Sequence, residues 1–226
     1  MLKSYTNTLK EMYKKPRNVV DSFVHTDQSS YQQPLIFMMI GAVVVILITS
    51  LFTSFDVDVT GMVPEIENEQ LQQLSEQILL TDVRMSTQLF PLMITIFLVP
   101  MLSIAGMLFL RNYTEGFYSL LILNSYLIGT IMPFLLLLIP IWAFSGLPLT
   151  DPALNTNIPG MIVGGAGLWV YKNYFKASDF LGWIRIISAF VTGYILFIFL
   201  KGLASSVTGY MIFAIRRIAE VSGNGV

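Results

Sequence analysis

Four stretches of this chain, 35–55, 89–110, 116–150 and 152–171, contain no Asp, Glu, Lys or Arg. A helix of about 20 apolar residues is long enough to cross the roughly 30 Å hydrocarbon layer of a bilayer. A helix of that length on a soluble protein keeps one polar face for water, and these stretches have none. In lipid every backbone N–H and C=O must be satisfied within the structure, so such runs fold as helices. The expected fold is therefore all-α: a polytopic helical membrane protein with about five spans. Composition agrees, with 54% hydrophobic and only 12% charged residues in 226, against roughly 25% charged in soluble domains.

The first 33 residues are polar and basic. Lys3, Lys10, Lys14, Lys15 and Arg17 outnumber Glu11, Asp21 and Asp27. With no apolar core near the start, this is not the pattern of a cleavable signal peptide, and the first span is expected to stay as a signal anchor. Leu2, Tyr5, Leu9, Met12 and Tyr13 fall on one helix face, and Pro16 marks a second short helix carrying Val19, Val20, Phe23 and Val24. Such a helix either lies on an anionic leaflet or packs on the protein itself.

The expected order is a cytoplasmic amphipathic segment over 1–33, a first span over 34–54, and an acidic extracytoplasmic segment with a short helix over 55–88. A second span (89–110), a cytoplasmic turn (111–117), a third span (118–144) and an external loop (145–158) follow. A fourth span (159–175), a cytoplasmic loop (176–183), a fifth span (184–215) and a tail (216–226) complete the chain. The Lys/Arg bias of the short loops sets this orientation, with the N-terminus in the cytoplasm. The rule strains at the end, where Arg216 and Arg217 fall outside. Either Gly202 to Ile215 returns as a sixth segment, though 14 residues reach only about 21 Å, or residues 159–175 do not cross. In the acidic segment Pro64 is a possible helix start, with Leu71, Leu74 and Ile78 spaced behind it. Its carboxylates read as a solvated face in preference to a calcium loop, since no EF-hand spacing occurs.

Few residues invite chemistry. A net charge of −1 without a basic stripe argues against nucleic acid. With no cysteine and one histidine, His25, there is no ligand set for zinc or iron–sulfur and no Ser-His-Asp triad, and no cofactor is expected. His25 reads as a solvated surface residue. Two polar residues stand inside apolar runs. Asn124 should face other helices or a cavity. Lys201 either snorkels to the interface where its helix ends or, if the helix continues, needs a carboxylate or carbonyl partner. Ser205 and Ser206 lie one turn from Lys201 and admit a serine–lysine enzyme as the weakest of three functional readings. Gly160, Gly164 and Gly167 make a small-residue face, and Pro100 and Pro133 predict kinks.

The segments TLKEMYKKPRNVVDSFV and SSYQQPLIFMMIGAVVVIL, the turn Arg111, Asn112, Tyr113, Glu115, and LWVYKNYFKASDFLGWIRIISAFVTGYIL together resemble a bacterial membrane family common in Bacteroidota. That family is marked by an Arg-Asn-Tyr-x-Glu-His turn; here Gly116 stands where the histidine is usual. Many members open with a cysteine-rich zinc ribbon, which this chain lacks. The layout is also similar to the five-span Yip family, whose members act through partners; that is a likeness of architecture. The resemblance implies a bacterial inner membrane location and no assigned activity. The leading expectation is a non-enzymatic subunit that binds membrane lipids and a protein partner or its own copy, with Arg111, Asn112, Tyr113 and Glu115 as an interaction turn. If that turn is helical, Arg111 and Glu115 can pair. The second expectation is a transporter or channel subunit using Asn124 and Lys201.

Overall fold

The computed structural model of the protein describes residues 2–25, 31–52, 59, 62–145, 157–176 and 179–223. Helices α1 (Leu2–Lys14), α2 (Pro16–His25), α3 (Pro34–Phe52), α4 (Glu69–Thr87), α5 (Phe90–Met93) and α6 (Val99–Leu110) are followed by α7 (Phe117–Leu136), α8 (Leu138–Ser145), α9 (Ile158–Phe175) and α10 (Phe180–Gly223). No strand occurs among the described residues. Four helical segments are long and apolar enough to cross a membrane: Pro34–Leu51, Phe90–Tyr113, Phe117–Leu136 and Phe180–Glu220. Helix α9 has 18 residues, about 27 Å, and its four glycines together with Tyr171, Lys172, Asn173 and Tyr174 leave it less apolar than those four segments.

The bundle is built around α7, whose residues are mostly buried. Helix α3 packs along it, α6 and α9 flank it, and α10 runs along α6. The prolines act locally. Pro100 has no N–H for the Ile96 carbonyl, and the turn before it, Ile94–Leu98, widens to a π-helix in which the Val99 N–H reaches the Ile94 carbonyl. The third apolar run breaks at Leu137, four residues after Pro133, where the Leu137 N–H turns back to Phe134 O at 3.0 Å.

Between its two readings, the N-terminal amphipathic face is taken up by the protein. Met12, Val19 and Val20 are fully buried, Tyr5 stacks on Phe37, and Tyr13 packs on Phe134 and Trp169. The Tyr13 hydroxyl donates to Thr130 O at 3.2 Å. Lys10, Lys14 and Lys15 stay exposed on the other side.

One expectation needs correction, and one alternative is not taken up. The acidic segment's helix does not open at Pro64 and is not short. It opens at Asn68, whose side chain accepts from the N–H groups of Gln70 and Leu71, and it runs 19 residues. Residues 53–58, with Asp56 and Asp58, lie outside the described residues. The alternative in which Gly202 to Ile215 returns as a sixth segment is not what the described residues adopt. Helix α10 passes Lys201 without a break and continues for 44 residues in all, about 66 Å. It can do so because α4 packs along its second half and supplies Lys201 with a partner.

Candidate functional site

The polar residues of the apolar runs end up in two separate places. Asn124 is fully buried in the bundle. Its Nδ2 donates to Ser103 Oγ of α6 at 3.0 Å, and its Oδ1 accepts from the Tyr171 hydroxyl of α9 at 2.7 Å. Ser103 in turn donates to Val99 O at 2.7 Å. The chain of bonds ties three helices together, and a buried amide satisfied in this way specifies one packing over its competitors.

Lys201 lies where α4 and α10 meet. Its Nζ is 3.2 Å from Asp82 Oδ1 and 2.6 Å from Ser86 Oγ. Ser205 Oγ stands 2.8 Å from the same Asp82 oxygen and 2.9 Å from Lys201 O, so its single proton serves one or the other. Asp82 and Ser86 are one turn apart on α4, and Lys201 and Ser205 are one turn apart on α10. The four side chains therefore form a square between antiparallel helices. Lys201 is 17% exposed and Asp82 37%, a half-dry pair at a helix–helix seam. A second polar tie lies further along, where Arg216 Nη1 donates to Gln77 Oε1 at 3.0 Å.

As a catalytic device the square has the wrong shape. A serine–lysine enzyme needs a lysine lone pair directed at the serine hydroxyl. Here the ammonium points its hydrogens at a carboxylate and a hydroxyl, and Ser205 faces Asp82. Ser206 is exposed and donates to Gly202 O at 2.9 Å. A transport pathway would need Asn124 and Lys201 to line one cavity. A cavity of about 230 Å³ lies between α6, α9 and α10, lined by apolar residues including Leu102, Val163 and Phe190. A second, of about 320 Å³, lies between the far ends of α4 and α10 and is lined by Gln73, Glu76, Arg216, Arg217 and Glu220 among others. Neither is lined by Asn124 or Lys201. Among the described residues no three histidine, aspartate or glutamate side chains converge as metal ligands would.

The turn Arg111 to Glu115 differs from its expected form. Helix α6 stops at Leu110, Arg111–Tyr113 tighten to a 3₁₀ turn, and Thr114 is extended. An i, i+4 pair needs α-helical spacing, so Arg111 and Glu115 do not meet. Glu115 instead binds His25 of α2, with Nε2 and Oε2 3.0 Å apart; the histidine has a partner that sequence did not suggest. Arg185 of α10 lies over the Tyr113 ring at 5.7 Å, and Tyr113 meets Phe175 of α9 edge-on at 6.4 Å. Asn112 is exposed. Gly116 has φ 145°, ψ −177°, a conformation that only glycine adopts without strain. The histidine of the resembled motif would be strained at this position of this chain.

The remaining surface feature is the outer face of α10. Large apolar side chains stand exposed from Phe180 to Ile218, all along the helix, over about 57 Å. The inner face buries Ile186, Phe190 and Phe197 and carries glycine where neighbouring helices come closest. A Cβ on Gly193 would stand 3.0 Å from Leu102 Cα, and one on Gly209 would stand 2.8 Å from Ile78 Cα. Glycine there lets α6 and then α4 approach backbone to backbone.

Compared with protein-family models, curated proteins and solved structures, the chain matches none.

Proposed function

We propose that this chain is a non-enzymatic, multi-pass membrane subunit that holds a partner through the arm formed by α4 and the second half of α10. One observation carries the reading: the exposed apolar face of α10 is longer than a bilayer can cover. To fit about 57 Å of helix within a 30 Å hydrocarbon layer would take a tilt near 60°, beyond the 0–40° of membrane helices. The polarity of α4 says which half projects. That helix carries Glu69, Glu76, Asp82, Arg84 and four glutamines, which hydrocarbon does not tolerate. The second half of α10, packed along α4, therefore stands in water with Leu203, Val207, Tyr210, Met211, Ile215 and Ile218 each at least half exposed. A row of that kind marks an interaction site.

In this reading α9 is the fourth of five spans, as in the Yip-like layout. The N-terminus is cytoplasmic, and the membrane is a bacterial inner membrane, as the family resemblance implies. The turn at Arg111, Asn112, Tyr113 and Glu115, tied to α2, α9 and α10, acts as a brace for the bundle. Transport has weaker support, since Asn124 and Lys201 each have protein partners and belong to different interfaces.

The test is co-purification of the tagged chain from its native membrane in gentle detergent, beside a variant with Leu203→Ser, Val207→Ser and Met211→Ser. A stoichiometric protein, which includes a second copy of the chain, is expected with the first and not with the second. A chain that emerges alone in both cases, or with a tightly held solute, would turn the reading toward transport.

A further inference from the structure

We infer that the cavity between the far ends of α4 and α10 is a binding site for a small zwitterion with an apolar side chain, of the α-amino-acid class. The site is separate from the apolar face of α10 and needs no protein partner. Its walls are two facing rows. Gln73, Glu76, Gln77 and Leu80 recur at i, i+3, i+4 and i+7 on α4, and Phe213, Arg216, Arg217 and Glu220 recur at the same steps on α10. Each row is therefore one side of its helix. The two helices touch at Gly209, where a Cβ would stand 2.8 Å from Ile78 Cα. Past that crossing they leave about 320 Å³ between them, at the lower end of the size of ligand pockets. Buried Val59 adds to the wall.

Opposite charges face one another across this cavity and do not meet. Glu76 is bonded along its own helix, its Oε1 accepting from Gln72 Nε2 at 2.8 Å. Arg217 is also held along its own helix, 3.5 Å from Glu220 and with its guanidinium over the Phe213 ring at 5.8 Å. Among the described residues, the bond that crosses the gap joins Arg216 to a neutral group, Gln77 Oε1, at 3.0 Å. A guanidinium has five N–H donors and a carboxylate two oxygens, so Arg216 and Glu76 both keep bonding capacity that no described residue uses. A lone anion drawn to the arginines would also meet Glu76 and Glu220, and a lone cation drawn to the glutamates would meet the arginines. A molecule carrying both charges satisfies both sides. Its carboxylate accepts charge-assisted hydrogen bonds from Arg216, and its ammonium donates to Glu76. Leu80, Phe213 and Val59 supply apolar wall for its side chain. It arrives from water, because hydrocarbon does not tolerate this many charges.

The test is titration calorimetry on the purified full-length chain in mild detergent, with L-leucine, L-methionine and L-phenylalanine as probes. Isocaproate and isoamylamine, which keep the leucine side chain and one charge each, are the half-ligands. At least one amino acid is expected to bind, and leucine to bind roughly tenfold or more tighter than either half-ligand, as one added charge-assisted hydrogen bond implies. Glu76→Gln should remove the preference for leucine over isocaproate and leave isocaproate binding unchanged. Arg216→Gln should remove the preference over isoamylamine and leave isoamylamine binding unchanged. A variant that merely misfolds would lose both half-ligands together, and Arg216→Lys, which keeps the charge, then supplies the measurement. Glu69→Gln, on α4 but outside the cavity, should bind as the natural chain does. No heat with any of the three amino acids, equal binding of leucine and isocaproate, or full binding by both Glu76→Gln and Arg216→Gln would each overturn the site. Phosphoethanolamine is titrated beside them. If it binds and the amino acids do not, the cavity holds a lipid headgroup and the amino-acid assignment falls.

Discussion

The two halves of α10 present nearly the same outer surface and are held by opposite kinds of neighbour. In the first half Val191 and Ile195 are 53% and 60% exposed; in the second, Val207 and Met211 are 52% and 57%. The first half lies on α6, an apolar helix whose buried polar atoms belong to the Ser103–Asn124–Tyr171 chain. The second lies on α4, a polar helix, through the Lys201–Asp82–Ser205 square. An exposed apolar side chain costs nothing against lipid tails and costs about 25 cal/mol per Å² against water. The inner face of α10 therefore distinguishes the two halves where the outer face does not, with an apolar neighbour for the first and a polar neighbour for the second.

The sharpest way to break this comparison is Gly209→Leu. Its side chain would collide with the Ile78 backbone, which has no rotamer to yield, and about 3 kcal/mol of α4–α10 packing should be lost. Hydrogen exchange should then rise across Glu69–Thr87 and stay unchanged in Phe117–Leu136. Loss of protection in both would mean that the two halves are one cooperative unit. Next in size is Asn124→Leu, which leaves the Tyr171 hydroxyl without its acceptor in a dry site. A cost of about 1–3 kcal/mol is expected, seen as a lower melting temperature of the bundle in detergent. Exchange in α4 should not change.

Asp82→Asn should cost about 1–2 kcal/mol, less than a fully buried pair because water reaches the aspartate. Its effect should appear in α4 exchange and shrink in high salt. A loss as large in 1 M salt as in dilute buffer would show that the square holds by packing alone. Gly116→Ala should cost about 1 kcal/mol through its positive φ, measured as a drop in thermal stability that Gly164→Ala, with open space around it, does not share. The smallest effect concerns α1. Burial, and then the nearby Tyr5, push the Tyr13 hydroxyl up to about 12. For a phenol raised in the folded state, the associated stability is whole below pH 10 and is lost as pH rises through about 12. Docking of α1, followed by tyrosine fluorescence, should thus be flat from pH 6 to 9 and weaken only above 10.

Much of this architecture was legible in the residues themselves. A charge-free run of some twenty apolar residues is a local property, and hydrocarbon leaves the backbone little choice but a helix. Proline acts on the carbonyl four residues back, so the disturbances near Pro100 and Pro133 were also readable, though their form, a π turn in one case and a break at Leu137 in the other, was not. The demand of Asn124 for partners followed from burial costs alone; for Lys201 a partner was one of two readings, the other being snorkelling at a helix end.

Which partners they found was decided by tertiary structure. Asn124 meets Tyr171 across 47 residues, and Lys201 meets Asp82 across 119. Contacts at such separations leave no periodic trace. The one available signal was the matching turn-length spacing of Asp82 with Ser86 and Lys201 with Ser205. The unbroken course of α10 was hidden for the same reason. A lysine after the fifteen uncharged residues 186–200 ends a membrane helix unless another helix supplies a carboxylate, and that carboxylate lay in a segment whose acidic character suggested only solvent. Local physics determined that the apolar runs of this chain fold as helices long enough to cross a membrane; the long-range pairing of α4 with α10 accompanies a helix that runs 44 residues without a break.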